Sequence, residues 1–233
     1  MIAESEAGGA RRRIYGRRRG RKLRAGRRAL MDTLLPRLRV VLPPVGMLDA
    51  PALFPGTDEL WLEIGFGAGE HLAAQARAHP AVGFLGAEVF ENGVAKLLVA
   101  IDRDRLTNVR LFDDDARLLL ARLPDRSLGR AFILFPDPWP KERHKKRRIV
   151  ASETLDELAR TLRPGAELRL ATDDADYAEW IVGVVESHPA FVEVARGAGD
   201  WPDRPADWPA TRYEQKALAA GRTPRFFRLA RCA

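Results

Sequence analysis

The sequence predicts an α/β fold: a seven-stranded, mostly parallel sheet with helices on both faces. Two observations carry this. From Glu59 onward, short apolar runs alternate with stretches of helical periodicity, the alternation that builds a parallel sheet. The first run, ELWLEIG, ends in a glycine cluster, Gly65, Gly67 and Gly69, immediately before a helical stretch. A length of 233 residues suits one large domain with a core of normal size.

Residues 1–22 are Gly- and Arg-rich with almost no apolar content, and read as a disordered basic arm; residues 23–233 read as a single domain. The run RRRIYGRRRGRKLR is too densely charged for a clean amphipathic helix, so an arm that orders on RNA fits it better than a transit peptide. Leu30, Leu34, Leu35 and Leu38 share a helical face, giving a short helix broken near Pro36 or Pro43. Residues 43–58, with four prolines and two glycines, form an irregular lead-in. After the first strand come a helix over 70–79, a strand over 82–88, a helix over 90–104, a strand over 108–112, a helix over 116–123 and a strand over 130–135.

Residues 135–148 read FPDPWPKERHKKRR. Proline fixes φ and disfavours helix at the residue before it, so 135–139 should be stiff and extended. A helix over 149–162 ends at Pro164-Gly165, and a strand follows over 167–171. The helix over 175–187 should bury Tyr177, Trp180 and Ile181. A strand over 191–195, a loop over 197–210, a helix over 211–220 and a strand over 225–229 complete the chain, with the last strand pair antiparallel.

The net charge of +7 is concentrated in two places. Without residues 1–28 the chain has 28 bases against 30 acids; without 141–148 as well it has 22 against 29. Two short segments therefore make an acidic domain basic, as expected where a chain meets phosphate backbones. Cys232 is the one cysteine, which excludes a disulfide framework and a cysteine-based metal site and fits a reducing compartment, read here as the cytoplasm. No apolar run approaches the roughly 20 residues of a membrane span. His71, His79, His144 and His188 lack metal-ligand spacing, so no metal is expected.

In an open α/β sheet, ligands bind beyond the carboxyl ends of the strands. Each predicted strand end there carries a carboxylate: Glu63, Glu88, Asp115, Asp137 and Asp173. A single acid before a helix is an ordinary cap; five in register point to a site. The glycine spacing G-x-G-x-G, preceded by Glu63, departs from the dinucleotide fingerprint G-x-G-x-x-G. Glu63 repels phosphate and suits a ligand with an amino group and a positive charge. Glu88 suits a ribose diol. The combination favours S-adenosylmethionine over a nicotinamide.

These residues resemble the tRNA (guanine-N7-)-methyltransferases of the TrmB type. The likeness runs through YGRRRGRKL, LEIGFGAGEH, FPDPWPKERHKKRR, ATDDADYAEW and TRYEQKALAAG, nearly the whole chain. It implies a class I S-adenosylmethionine-dependent methyltransferase (Rossmann-like) fold acting on N7 of guanosine 46 in the tRNA variable loop. It further implies a cofactor site of Glu63, Gly65, Gly67, Gly69, Glu88, Asp115 and Asp137, with Asp137 also catalytic. Lys141, Asp173, Thr211, Arg212, Tyr213 and Glu214 would contact the substrate, and Arg143, His144, Lys145, Lys146, Arg147 and Arg148 would bind RNA. The dense arginine arm departs from the family pattern. The resemblance implies tRNA as the partner, and the protein is expected to be a monomer or homodimer.

The chemistry that the resemblance implies is consistent with the residues present. Guanine N7 has an in-plane lone pair and no proton, so positioning matters more than a general base. Carboxylates such as Asp137 and Asp173 would stabilise the developing positive charge, or accept hydrogen bonds from the guanine edge. Trp139 and Tyr213 are candidates to hold an unstacked base, with packing between its flanking prolines an equal reading for Trp139. Trp61 and Trp180 read as core. The rivals are a methyltransferase for another RNA, a protein or a small molecule, and an RNA-binding module with a vestigial pocket.

Overall fold

The structure, a computed structural model, describes residues 14–194 and 204–233. Its elements are α1 (Ala25–Thr33), α2 (Leu35–Leu38), α3 (Ala50–Leu53), β1 (Glu59–Ile64), α4 (Glu70–Ala78), β2 (Val82–Ala87), α5 (Glu91–Asp104), β3 (Val109–Phe112), α6 (Ala116–Leu120), β4 (Leu128–Leu134), α7 (Ser152–Thr161), β5 (Leu162–Thr172), α8 (Ala175–Glu186), β6 (Phe191–Glu193), α9 (Arg212–Ala219) and β7 (Arg225–Arg231). One 3-10 turn, Glu142–Arg147, lies in the cationic stretch.

The seven strands form one sheet in the order β3-β2-β1-β4-β5-β7-β6. The first five are parallel, and β7 runs antiparallel between β5 and β6. Alternation along the strands divides the core. Leu60, Leu62 and Ile64 face one side, with Leu119, Leu155 and Ile181 from α6, α7 and α8. Trp61, Phe84 and Phe132 face the other, with Leu35, Leu72 and Leu97 from α2, α4 and α5. Period-two side chains make this two-sided burial possible. Tyr177 and Ile181 are fully buried and Trp180 half-buried, and Trp61 is core. No helix of the described residues is long and apolar enough to cross a membrane.

Four departures from the sequence expectation have physical causes. The expected disorder over 1–22 lies partly outside the described residues, but residues 14–22 follow a defined course. Glu91 N–H donates to the Arg18 carbonyl at 2.9 Å, and Asn92 accepts from Gly20 N–H at 2.7 Å while donating to the Arg21 carbonyl at 2.7 Å. Arg19 and Arg28 pair with Glu91, and Leu23 is buried. The start of α5 thus supplies partners that composition does not reveal.

The helix break falls at Leu34, because Pro36 is tolerated in the first turn of α2. β5 begins at Leu162 and runs through Pro164-Gly165, with the register shift on β4 between Leu128 and Arg130 absorbing the turn. Residues 135–139 are not simply extended: Phe135 and Trp139, each before a proline, have φ of 50° and 47°. The expected strand over 191–195 is seen as β6, with Ala195 outside the described residues, as are 197–203 of the expected loop.

Candidate active site

The carboxyl ends of β1, β2, β3 and β4 open onto a cavity of about 380 Å³. That is the size of a small-molecule site, at the place where parallel sheets put one. Glu63, Gly65, Gly67, Glu88, Asp115, Asp137, Trp139, Arg147, Thr211 and Tyr213 all line it. The segment Ile14, Tyr15, Gly16 and Arg17 lines it as well, although the arm showed no sign of this in the sequence. Gly69, Lys141, Asp173, Arg212, Glu214 and the rest of the cationic stretch lie outside the lining.

Glu63 shares the sheet face of Trp61 and is buried. Its Oε2 is 2.7 Å from His71 Nδ1 on α4. After β1 the chain turns through Gly65, Gly67 and Gly69 with φ of 72°, 55° and 74°. Gly69 caps α4, and the ring of Tyr213 stands over Gly67, where a Cβ would lie 3.0 Å from it. Above Gly65 a Cβ would meet nothing within 4 Å.

Glu88 fastens this turn. Its Oε2 accepts from Gly67 N–H at 2.7 Å and its Oε1 from Phe90 N–H at 2.9 Å. Burial pushes the Glu88 carboxyl above its ordinary value, the backbone donors oppose this, and the Asp137 charge adds to the rise. Asp115 is buried at the N-terminus of α6, accepting from Arg117 N–H at 3.0 Å and pairing with its guanidinium at 3.2 Å. Asp137 is exposed. Phe135 N–H donates to the Ala171 carbonyl at 2.8 Å and Arg148 Nε donates to the Pro138 carbonyl at 2.8 Å, so the turn carrying Asp137 is held on both sides.

The cationic stretch divides sharply. Lys141, Arg143 and Lys146 are exposed. Lys145 pairs with Glu142 and Asp176, each at 3.0 Å. Arg147 lies over the rings of Tyr15 and Trp139, 5.2 and 4.9 Å from their centroids. His144 meets Trp139 edge-on, so Trp139 is flanked by Tyr15, His144 and Arg147. Burial and the neighbouring cations push the His144 ring below its ordinary value.

Arg148 overturns its expected place on an RNA surface. Only 1% exposed, it lies over Tyr177 and Trp180, bonds Pro138 and pairs with Asp176. A buried guanidinium stacked on two rings, with N–H groups committed to the Pro138 carbonyl and to Asp176, is not placed to serve a phosphate. On the other rim, Asp173 pairs with Arg222 at 2.7 Å. Thr211 caps α9 by accepting from Glu214 N–H at 3.2 Å. Glu214 is buried and pairs with Arg204 at 3.0 Å, which differs from an exposed substrate contact. Arg212 N–H donates to Glu70, and Tyr213 is exposed.

Besides the arm segment at the cavity, sequence reasoning missed His71, Arg148 as a support, and Gly93. A Cβ on Gly93 would overlap the Gly67 carbonyl oxygen. Only glycine lets α5 approach the turn so closely. Gly93→Ala is expected to lower the midpoint of thermal unfolding by roughly 5 °C, as an overpacked contact of about 2 kcal/mol would. An unchanged midpoint in a calorimetric scan would remove this contact from the account.

A seven-stranded sheet of this order with an acid-rimmed cavity at the parallel strand ends is an arrangement suited to a methyltransferase, and the family comparison makes the class plain. A family model described as a putative methyltransferase matches residues 57–226. Among solved structures, an rRNA methylase from Streptococcus thermophilus superposes with a TM-score of 0.52 at 15% identity, covering 76% of this chain and 89% of that one. An S-adenosylmethionine-dependent O-methyltransferase from Thermotoga maritima gives 0.51 at 12% identity, covering 76% and 60%. These establish the class I methyltransferase fold.

Sequence relatives are much nearer. The tRNA (guanine-N(7)-)-methyltransferase of Rhodospirillum rubrum is 54% identical over 92% of this chain and 86% of its own. That of Azorhizobium caulinodans is 48% identical over 99% and 98%. The chain belongs to the tRNA (guanine-N(7)-)-methyltransferase family.

Proposed function

We propose that this protein transfers a methyl group from S-adenosylmethionine to N7 of guanosine 46 in the variable loop of tRNA, in the cytoplasm. The observation that carries the reading is the juxtaposition of an acid-lined cavity with exposed cations just beyond Asp137, in a chain about half identical to its named relatives.

The residues fit the cofactor. Open space above Gly65, the buried acid Glu63 and the carboxylate of Glu88 together line a cavity suited to a ligand with cationic and hydroxyl groups. S-adenosylmethionine supplies an electrophilic methyl group on a sulfonium. Glu63 and Glu88 favour its positive and hydroxyl-bearing parts, and the turn through Gly67 presents backbone rather than bulk. Asp137 stands where it orients the guanine edge or offsets the positive charge that N7 acquires on alkylation. Since N7 carries no proton, no residue has to remove one before attack. Tyr213 offers an exposed ring to an unstacked base, whereas Trp139 is already flanked by Arg147, Tyr15 and His144 and would take part only by exchanging one of these contacts. Asp173 and Lys141 lie farther out and would contact the substrate beyond the cavity.

The test is direct. Purified protein, unmodified tRNA and methyl-labelled S-adenosylmethionine should yield 7-methylguanosine at position 46. Label at other bases, or none, overturns the reading.

Lys141, Arg143 and Lys146 supply the phosphate contacts in this account. Binding of tRNA should weaken steeply with salt, and replacing all three by alanine should flatten the plot of log K against log salt by roughly 2 to 3. Filter binding across a salt series measures it; a slope unaffected by the triple change would place the RNA elsewhere.

A further inference from the structure

His71 is used by nothing described so far, yet it is one of the most deeply buried polar groups near the cavity. It is 2% exposed and Glu63 is 4% exposed. The two are eight residues apart, brought together because the chain reverses through the glycine turn between β1 and α4. Nδ1 and Oε2 are 2.7 Å apart, a charge-assisted distance. No other hydrogen bond to this carboxylate is made among the described residues.

The other ring nitrogen decides the protonation state. Among the described residues Nε2 is buried without a hydrogen-bond partner, and the ring packs edge-on against Phe132 at 4.7 Å and Trp208 at 5.9 Å. A proton on Nε2, in an imidazolium or in the opposite tautomer, would be a donor sealed among aromatic rings with no acceptor among the described residues. The neutral Nδ1–H tautomer avoids that. It also leaves a full negative charge on Glu63, whereas an imidazolium would cancel it.

We propose that His71 is the positioning residue for Glu63: its neutral Nδ1–H ties one carboxylate oxygen, fixing the charged carboxylate so that its other oxygen serves a cationic ligand in the cavity. The inference rests on the reading of that ligand as S-adenosylmethionine. His71 itself does not touch the reacting atoms.

Asparagine and glutamine separate the roles of the two ring nitrogens, since the asparagine amide overlies Nδ1 and the glutamine amide overlies Nε2. Titration calorimetry with S-adenosylmethionine and S-adenosylhomocysteine should show His71→Asn within about threefold of wild type. His71→Gln should lose about tenfold or more, the size of one hydrogen bond to a charged group. Affinity for tRNA should not move in either variant. Equal binding by both variants, or equal loss in both, overturns the role of His71 while leaving the proposed function standing. Failure of the wild type to bind either ligand overturns the proposed function and this inference with it. Nitrogen-15 spectra of wild-type histidine side chains give a readout that needs no folded variant. They should show a neutral His71 protonated at Nδ1; an imidazolium or an Nε2–H ring overturns the proposal.

Discussion

Asp137→Ala is expected to lower kcat by roughly 10²- to 10³-fold, the cost of removing one charge aimed at a developing transition-state charge. Affinity for tRNA should stay within about threefold, because a single rim carboxylate adds nothing to phosphate binding. Asp137 is exposed and in no ion pair among the described residues, so its removal strands no partner and leaves the fold intact. Asp137→Asn sharpens the result. The amide keeps shape and one acceptor but not the charge. If it is as slow as alanine, the charge matters; if it recovers most of the rate, orientation of the guanine edge does. Single-turnover rates at saturating tRNA isolate the chemical step, and an unaltered rate in the alanine variant would remove Asp137 from the mechanism.

Arg148→Ala is expected to act through stability and turnover together, and not through RNA affinity. The substitution empties a fully enclosed site between Tyr177 and Trp180 and releases the Pro138 carbonyl. A large-to-small change of this kind costs about 3 kcal/mol, and for a chain of this length the unfolding midpoint should fall by roughly 6 to 12 °C. The turn that carries Asp137 loses its support at the same time, so kcat should fall about tenfold, as a misplacement of about 1 Å would cause. The salt slope of tRNA binding separates this from a phosphate contact. A phosphate contact would remove about 0.7 to 0.9 from the slope, whereas a buried support leaves it unchanged.

Arg148 also shows where sequence reasoning stops. In FPDPWPKERHKKRR it is one cation among six, and composition assigns all six alike. Its burial is decided by two aromatic residues of α8 about 30 positions away, and no local pattern encodes that. By contrast, the strand-end acids and the glycine turn were legible because each follows from a residue type at a strand terminus, and topology brings those termini together. Glu63, Glu88, Asp115 and Asp137 meet in one cavity for that reason.

The fold was legible to the same depth. Local periodicity located every strand of the sheet but not the placement of β7 between β5 and β6, which is a matter of pairing over long distance. His71 left a faint signal: it lies on α4 with Leu72, Gln75 and Ala76, all buried, and a histidine on a buried face needs a partner. Residues 14–22 left none, because their partners, Glu91 and Asn92, lie in α5. The extended conformation expected before each proline at Phe135 and Trp139 follows a local rule that the surrounding contacts override.

Those two residues have a consequence for any search for hardier variants. Each holds a backbone conformation that a residue with a side chain adopts at a cost of about 1 to 3 kcal/mol. Substitutions that let either backbone relax would gain stability at the one turn whose shape presents Asp137. Selection for heat resistance alone should therefore enrich changes at 135 and 139 that are slow catalysts, and selection for rate should purge them. A rate-selected sequence that keeps positive φ at both positions, as this one does, is the expected outcome if the shape of the turn matters more to the protein than its stability.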